Sequence, residues 1–143
     1  MKYIYVGFKG KHNPSSYIVS KFQESFFLTN SYLGIDRDIE KIKEDKDGIL
    51  LFGLKPGLTN KIQIELLSRR NHKDLKTTWD LSKLNSIFKG LDIVYNDIPT
   101  NYLCNYAYYS LLEKFDGNVL LIHVPFSKEY ADQIIMCIKE NIG

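Results

Sequence analysis

Short apolar runs recur along this chain, and most of them end at a glycine or a turn. Each run is rich in β-branched or aromatic residues and therefore predicts a β-strand. The runs occupy residues 2–7, 24–29, 49–52, 91–95 and 119–124. The run at 49–52 lies between Gly48 and Gly53, a pattern typical of a central strand that is covered on both faces.

A further strand is indicated by alternation rather than by a continuous run. After the turn at residues 55–57, isoleucines and a leucine alternate with Gln63 and Glu65 over residues 62–66. Because successive side chains of a strand point to opposite faces, Glu65 must face away from the isoleucines. An acid at such a position either needs a buried partner or faces solvent on an edge strand, and the pattern leaves both readings open.

Apolar residues at helical spacing predict the segments between the strands. A helix should begin at Pro14 with Asn13 as its N-cap, and Ser127 should cap a last helix that runs to residue 141. We also expect an amphipathic helix at 36–46 that Gly48 ends, a short helix at 81–88 and a helix at 100–115. The rest of 69–90 is weakly patterned and is expected to be irregular.

The order of these segments predicts the fold class. Strands alternate with helices along the whole chain, which favours a largely parallel or mixed sheet with helices on both faces. We therefore expect an α/β protein: a single-domain, three-layer α/β/α sandwich with a mostly parallel (mixed) sheet, formed by residues 1–143.

Composition narrows the functional classes. The chain has 143 residues, 44% of them hydrophobic and 25% charged, which is ordinary for a globular domain. The formal net charge is only +2 and the lysines of 41–46 alternate with acids, so no nucleic-acid surface is expected. No segment approaches the ~20 apolar residues of a membrane helix. Two cysteines are too few for a secreted disulfide framework, so we expect reduced thiols and a cytoplasmic location.

One cysteine lies where a nucleophile could be activated. Cys104 falls near the start of the helix predicted at 100–115, where free backbone N–H groups and the helix dipole favour a thiolate. Such a position can lower a cysteine pKa, and Cys104 would then react with iodoacetamide at about pH 6 much faster than Cys137. A cysteine among aromatic and aliphatic neighbours is, however, more often a small buried core residue.

A histidine ends the strand predicted at 119–124. His123 lies at the carboxyl end of that strand, the edge at which open α/β sheets bind ligands. Because the helix that follows a parallel strand starts at the same edge, Cys104 and His123 can meet there. A carboxylate such as that of Glu65 would complete a nucleophile, base and orienting acid. The alternative is a structural histidine whose ring nitrogens are hydrogen-bonded within the fold and take no part in catalysis.

Other chemistries find less support in the sequence. The two cysteines and three histidines lack the paired spacing of zinc sites. The glycines at 53–57 lack the Lys-Ser/Thr of a phosphate loop and the third glycine of the dinucleotide motif. No metal and no cofactor are expected.

The motifs around these residues resemble those of pyroglutamyl peptidase I, also called pyrrolidone-carboxylate peptidase. The family has a Cys-Asn nucleophile motif opening a helix, matched here by Cys104-Asn105, and a His-hydrophobic-Pro motif after a strand, matched by residues 123–125. Gly7-Phe8, Asn13-Pro14-Ser15 and Gly53-Leu54 resemble elements of its first half. The resemblance covers nearly the whole chain, but only the Cys and His motifs are specific.

The resemblance implies a set of site residues and a thiol peptidase that removes N-terminal pyroglutamate. Its catalytic residues would be Cys104, His123 and Glu65, the last with a one-residue shift in the alignment. The segments that match the family's motifs place substrate contacts at Phe8, Asn13, Gly53, Leu54, Tyr102 and Leu103. A peptide or small amide is the expected partner, and a homo-oligomer is possible in such a family.

The chain also departs from the family pattern. Residues 9–12 replace the Pro-Phe-Gly-Gly loop that walls the family's lactam pocket, and Pro99-Thr100 stands where the family favours Ala-Gly. The family's oxyanion-associated arginine has no clear match, which leaves Arg69 and Arg70 as candidates. Three hypotheses follow: an active pyroglutamyl peptidase, a related thiol amidase for another small acyl group, and a catalytically impaired descendant that acts as a binding or assembly module.

Overall fold

The computed structural model describes residues 2–44, 47–99 and 103–142, and its elements alternate between strand and helix. In chain order they are β1 (Tyr3–Phe8), α1 (Pro14–Ser20), β2 (Ser25–Leu28), α2 (Tyr32–Glu40), β3 (Gly48–Leu54), β4 (Ile62–Glu65), β5 (Leu67–Arg70), β6 (Lys73–Lys76), α3 (Leu81–Ile87), β7 (Ile93–Asn96), α4 (Leu103–Lys114), β8 (Val119–Val124) and α5 (Lys128–Asn141).

Six of the strands form one mixed sheet. Their order is β2-β1-β3-β8-β4-β7, and the first four run parallel to one another. Strand β4 pairs antiparallel with β8, and β7 pairs parallel with β4. The sheet is therefore mostly parallel, with two reversed strands on one side. Strands β5 and β6 form a separate antiparallel pair.

The two faces of the sheet bury two different apolar cores. Phe52, Ile64 and Ile122 point to the face that packs against α1, α3 and α5. Leu51 and Leu121 point to the opposite face, against α2 and α4. Because side chains alternate along each strand, one continuous apolar run such as 49–52 supplies both cores. The expected three-layer α/β/α arrangement with a mostly parallel mixed sheet is confirmed.

The two helix starts that the sequence predicted from an N-cap, those of α1 and α5, fall where they were expected. Asn13 Oδ1 accepts a hydrogen bond from the backbone N–H of Ser15 at 2.9 Å, and Pro14 opens α1. Ser127 Oγ likewise accepts from the Tyr130 N–H at 3.1 Å at the start of α5. These caps satisfy backbone donors that a first helical turn leaves unpaired.

The helix expected at 36–46 is displaced towards the N-terminus. Helix α2 starts at Tyr32, because Ser31 Oγ accepts from the Gly34 N–H at 3.0 Å, and it ends at Glu40. Residues 41–44 are turn and bend, and Gly48 opens β3 rather than ending a helix. The missed signal is the Ser31 cap, which outweighed the charge pattern of 41–46.

The hairpin of β5 and β6 was not expected at all. Its connection has two residues, Asn71 and His72, with φ of 50° and 64°. Two left-handed residues in a two-residue loop are the geometry of a type I′ turn, which asparagine and glycine usually supply. Because His72 stands where such a turn usually has glycine, the sequence did not indicate the turn.

Across the described ranges, none of the helices is long and apolar enough to cross a membrane.

Candidate active site

Gly53 is the point at which the candidate nucleophile and base come together. It pairs with His123 in the register of β3 and β8, and Cys104 is the second residue of α4 on the same face of the sheet. A Cβ atom built on Gly53 would lie 2.7 Å from Cys104 Sγ and 3.4 Å from His123 Nε2. Sγ and Nε2 are therefore within about 6 Å of each other, a separation that a bound substrate can shorten.

Cys104 and His123 lie close together as expected, but the topological reason given for it is wrong. The sequence argument assumed that the strand before α4 runs parallel to β8. Strand β7 runs antiparallel to β8, because it is parallel to β4 and β4 is antiparallel to β8. The carboxyl end of β7 thus points away from the edge where His123 lies. Residues 100–102, where the helix was expected to begin, lie outside the described residues.

Glu65 is buried beside the imidazole. His123 Nδ1 lies 3.1 Å from Glu65 Oε2, and the two side chains are 7% and 5% exposed. The solvent-facing alternative for Glu65 is therefore wrong. The two residues reach each other because β4 and β8 are adjacent, with Glu65 opposite Leu121 and Gln63 opposite His123. Partners across an antiparallel pair point to the same face, so the four side chains lie together.

Three side-chain donors surround the Glu65 carboxylate. Gln63 Nε2 donates to Oε2 at 2.6 Å, Asn96 Nδ2 donates to Oε1 at 2.7 Å, and the His123 ring contacts Oε2. Burial by itself raises the pKa of Glu65. The hydrogen bonds from His123, Gln63 and Asn96 outweigh burial, so that the pKa of Glu65 is lowered and the carboxylate is ionised.

The Cys104 thiol is not activated in the way its place in the helix suggested. Burial, together with the smaller effect of the negative charge of Glu65, raises the pKa of Cys104 to about 12, although a backbone hydrogen bond within Cys104 opposes the rise. Cys104 is therefore a protonated thiol at neutral pH, and the expectation of a low pKa is wrong. Desolvation outweighs the helix dipole here because the sulfur is covered by the sheet, at Gly53.

Neither candidate arginine contacts this site. Arg69 forms an exposed ion pair with Asp74, with Nε 2.6 Å from Oδ1. Arg70 donates to the Tyr106 carbonyl at 2.8 Å and to Ser110 Oγ at 2.7 Å, and its guanidinium stacks on aromatic rings of α4. Both guanidinium groups thus serve the hairpin and the helix, and neither is available to replace the family's oxyanion arginine.

Asn105, the second residue of the Cys-Asn motif, fixes the start of α4 to the hairpin. Its Oδ1 accepts from Ser68 Oγ at 2.6 Å and its Nδ2 donates to the Arg69 carbonyl at 3.0 Å. Ser68 Oγ also lies 2.7 Å from the Asn105 carbonyl. Both side chains are buried. Strand β5 therefore holds the helix turn that carries Cys104.

The expected substrate contacts fall in different surroundings. Gly53 lies between Cys104 and His123, and Leu54 and Leu103 are half-buried at the ends of β3 and α4 nearest to them. Phe8 packs inside the core against α2 and α4 and is only 5% exposed, so its ring is a core side chain. Asn13 caps α1. Tyr102 lies outside the described residues.

A large cavity opens beside α1 and α5 rather than beside Cys104. Its volume is about 810 Å³, and its lining includes Tyr17, Phe27 and Phe126. Of the described residues that were expected to contact substrate, Asn13 alone lines it. Cys104, His123 and Glu65 do not line this cavity.

Within the described ranges, no group of three or more His, Cys, Asp or Glu side chains could hold a metal ion.

Three residues of the site were missed by sequence reasoning. Gln63 was read only as the polar half of an alternating strand, although it shares its face with Glu65 and is 7% exposed. Asn96 follows an apolar strand, and its contact with Glu65 depends on β4 and β7 being neighbours. Lys55 was read as part of a turn, and its Nζ donates to Gln63 Oε1 at 3.1 Å. Only Gln63 left a usable signal, an amide two residues before a candidate acid on a buried strand.

Comparison with known proteins gives a uniform result at the level of structure. No protein-family profile matches the chain, and no curated protein sequence matches it. Solved structures do match. They include the pyrrolidone carboxyl peptidase of Thermococcus litoralis, with 16% identity, a TM-score of 0.75 and coverage of 99% of this chain and 94% of that one.

Two further matches have the same character. The pyroglutamyl peptidase I of Bacillus amyloliquefaciens is 16% identical, with a TM-score of 0.76 over 98% of this chain and 92% of that one. The pyrrolidone carboxyl peptidase of Thermus thermophilus is 14% identical, with a TM-score of 0.80 over 98% of each chain. At sequence identities this low, the structural similarity establishes a shared fold and nothing beyond it. The chain therefore has the fold of the pyrrolidone carboxyl peptidases over nearly its whole length.

Proposed function

We propose that this chain is a cysteine hydrolase of the pyrrolidone carboxyl peptidase type, which cleaves the amide bond after an N-terminal pyroglutamyl group or a related small acyl group. The observation that carries the proposal is the placement of His123 between two partners. Its Nδ1 is 3.1 Å from Glu65 Oε2, and its Nε2 faces the backbone of Gly53, which Cys104 Sγ also touches. The fold shared with known peptidases of this type supports the same reading.

In the proposed reaction, the imidazole acts as a general base. Ionised Glu65 can only accept hydrogen bonds, so it holds the proton on His123 Nδ1 and leaves the Nε2 lone pair free. Nε2 takes the proton from Cys104 Sγ as the sulfur attacks the amide carbon, and the imidazolium then protonates the leaving amine. Water hydrolyses the resulting thioester by the same route. The backbone N–H of Cys104 serves as an oxyanion donor.

A neutral thiol fits this order of events. Because burial raises the pKa of Cys104 to about 12, the resting pair is a thiol and an imidazole rather than a preformed ion pair. The proton must therefore move as the substrate binds and reacts. Without an arginine at the oxyanion, the rate should be lower by roughly 10²–10³, the usual effect of losing one such donor.

A binding module is the second candidate, and one observation favours it. The cavity of about 810 Å³ is lined by Tyr17, Phe27 and Phe126 on the side of α1 and α5, and none of the three proposed catalytic residues lines it. A descendant that had lost catalysis could retain such a cavity for another ligand. A protonated Cys104 is compatible with this reading too.

Hydrolysis of a pyroglutamyl anilide separates the two candidates. We expect slow release of the aniline by the wild-type chain, none by Cys104→Ala and an unchanged rate for Cys137→Ala, the matched thiol control. A second anilide series with acetyl and prolyl groups tests the related amidase. If the wild-type chain and Cys104→Ala are equally inert on every anilide, the hydrolase proposal fails and the binding module is favoured.

The remaining attributes of the proposal follow from the same reading. The proposed partner is a peptide or small amide, and Gly53, Leu54 and Leu103 are the described residues best placed beside its acyl group. Both cysteines are free, which supports a reducing, cytoplasmic setting. We propose residues 1–143 as one catalytic domain that forms a homo-oligomer. A solution mass greater than that of one chain would support the oligomer, and the mass of a single chain would refute it.

A further inference from the structure

Four side chains form an unbroken line along the catalytic face of the sheet. Lys55 Nζ donates to Gln63 Oε1 at 3.1 Å, and Gln63 Nε2 donates to Glu65 Oε2 at 2.6 Å. The same oxygen lies 3.1 Å from His123 Nδ1. Gln63 is directly opposite His123 in the register of β4 and β8, so the line returns to the strand that carries the base.

The chemistry of the end groups fixes the direction of every hydrogen bond in this line. An ammonium group can only donate, so the Gln63 oxygen must face Lys55. An ionised carboxylate can only accept, so the Gln63 amide nitrogen must face Glu65. A flipped amide would place N–H groups against the ammonium and an oxygen against the carboxylate, two repulsive contacts. The orientation of Gln63 is thus determined from both sides.

This fixed amide has a consequence at the imidazole. Gln63 and His123 share Glu65 Oε2, so the short contact from Gln63 holds that oxygen where the ring can reach it. Asn96 holds the other oxygen at 2.7 Å. With both oxygens restrained, Nδ1 is the ring nitrogen that donates, and Nε2 keeps its lone pair on the side of Gly53 and Cys104.

We propose that Gln63, oriented by Lys55, is a positioning residue that sets the tautomer of His123 by fixing the Glu65 carboxylate. This inference rests on the proposed function only for its catalytic consequence, because the tautomer is a property of the free protein. Gln63 is a buried amide between two isoleucines that are fully buried on the opposite face. Burying a leucine at this position would avoid the free energy needed to desolvate an amide, so the presence of glutamine indicates that its hydrogen bonds have a role.

The direct test is nuclear magnetic resonance of the histidine rings in ¹⁵N-labelled protein at mildly alkaline pH. The His123 signals are assigned by their loss in His123→Gln, which separates them from those of His12 and His72. In the wild-type chain we expect protonated Nδ1 and unprotonated Nε2. In Gln63→Leu and Lys55→Met we expect a larger share of the tautomer with the proton on Nε2.

Two variants serve as matched controls. Lys55→Arg keeps a donor facing the Gln63 oxygen and should retain the wild-type tautomer. Lys89→Met removes an exposed lysine just after α3, on the other face of the sheet, and should leave the tautomer of His123 unchanged. Where pyroglutamyl anilide is hydrolysed, Gln63→Leu should lower kcat roughly tenfold or more and leave KM nearly unchanged.

The outcomes separate this inference from the proposed function. If Gln63→Leu and Lys55→Met are folded and keep the wild-type ring signals, the inference is overturned, whatever the activity of the wild-type chain. If Gln63→Leu does not fold, Lys55→Met decides, since the half-buried Lys55 side chain is less demanding to replace. If the variants shift the tautomer but the wild-type chain has no anilide activity, the shift supports the positioning role of Gln63. The missing activity then refutes only the hydrolase proposal.

Discussion

Gly53 and Cys104 are in such close contact that no side chain fits between them. A Cβ atom on residue 53 would lie 2.7 Å from Cys104 Sγ, closer than real Cβ atoms approach a sulfur. It would also lie 3.2 Å from His123 Cδ2. The glycine is thus required by the close approach of α4 to β3, and this contact sets the height of the sulfur above the sheet.

Gly53→Ala should therefore damage both packing and reactivity. We expect a loss of about 1–3 kcal/mol of unfolding free energy, the usual cost of overpacking. Displacement of the sulfur by part of an ångström should lower any anilide hydrolysis by up to about 100-fold. Urea unfolding and initial rates measure the two effects.

A double-mutant cycle provides the control for this prediction. In Cys104→Ala the sulfur is absent, so the added methyl group of Gly53→Ala meets less resistance. The alanine at 53 should then cost clearly less than in the wild-type background. Equal costs in the two backgrounds would show that the contact between Gly53 and Cys104 is not the source of the effect.

The reactivity of Cys104 should depend strongly on pH. Because burial raises its pKa to about 12, the thiolate fraction grows about tenfold per pH unit throughout the neutral range. In a Cys137→Ala background, the rate of alkylation by iodoacetamide, followed by intact mass, should rise steadily to about pH 10 without a plateau. A plateau near pH 6 would reveal a low-pKa thiolate and contradict the neutral resting pair.

Glu65 should make the stability of the fold sensitive to acid. Hydrogen bonds from His123, Gln63 and Asn96 overcome burial and lower the pKa of Glu65 below its ordinary value of 4.5. A carboxylate whose pKa is lower in the folded state stabilises the fold above the unfolded pKa, and that contribution is lost as pH falls through the folded pKa. Its stabilising contribution is therefore complete at neutral pH and disappears in acid.

The corresponding measurement compares wild-type and Glu65→Gln unfolding free energies across pH. At neutral pH Glu65→Gln should be the less stable protein, because a neutral amide replaces the acceptor of three donors. The difference should shrink below about pH 4.5, where only the wild-type side chain takes up a proton. A difference that stays constant into acid would show that Glu65 is not held as an ionised carboxylate.

Local sequence signals predicted the parts of the site that depend on strand position. The alternation around Glu65 placed it correctly on the face opposite the isoleucines, and the run before His123 correctly marked the end of a strand. The fold class followed from the order of the elements. Each of these features is settled by a few consecutive residues, which is why the sequence alone was sufficient.

Features that depend on distant parts of the chain were not predictable in this way. The antiparallel direction of β4 and β7 is set by pairing between segments far apart in sequence. The raised pKa of Cys104 has the same origin, since the burial that causes it is imposed by β3 and β8. The helix-dipole argument considered only the local helix and therefore gave the wrong sign.

The hairpin of β5 and β6 yields a last prediction, on stability. Asn71 and His72 both have positive φ, and a left-handed conformation costs a residue with a Cβ atom about 1–2 kcal/mol. His72→Gly removes that strain, while the greater freedom of glycine in the unfolded chain offsets about 0.5–1 kcal/mol of the gain. We expect a net stabilisation of about 0.5–1 kcal/mol by urea unfolding.

Lys73→Gly is the matched control, because Lys73 is also exposed but lies in the extended strand β6. Glycine there should destabilise the fold, since a strand residue gains no relief of strain. Ser68 of the same hairpin binds Asn105, so a firmer turn should also hold the start of α4 more firmly and slow amide hydrogen exchange around Asn105. If His72→Gly and Lys73→Gly destabilise alike, the two-residue turn is not strained at His72.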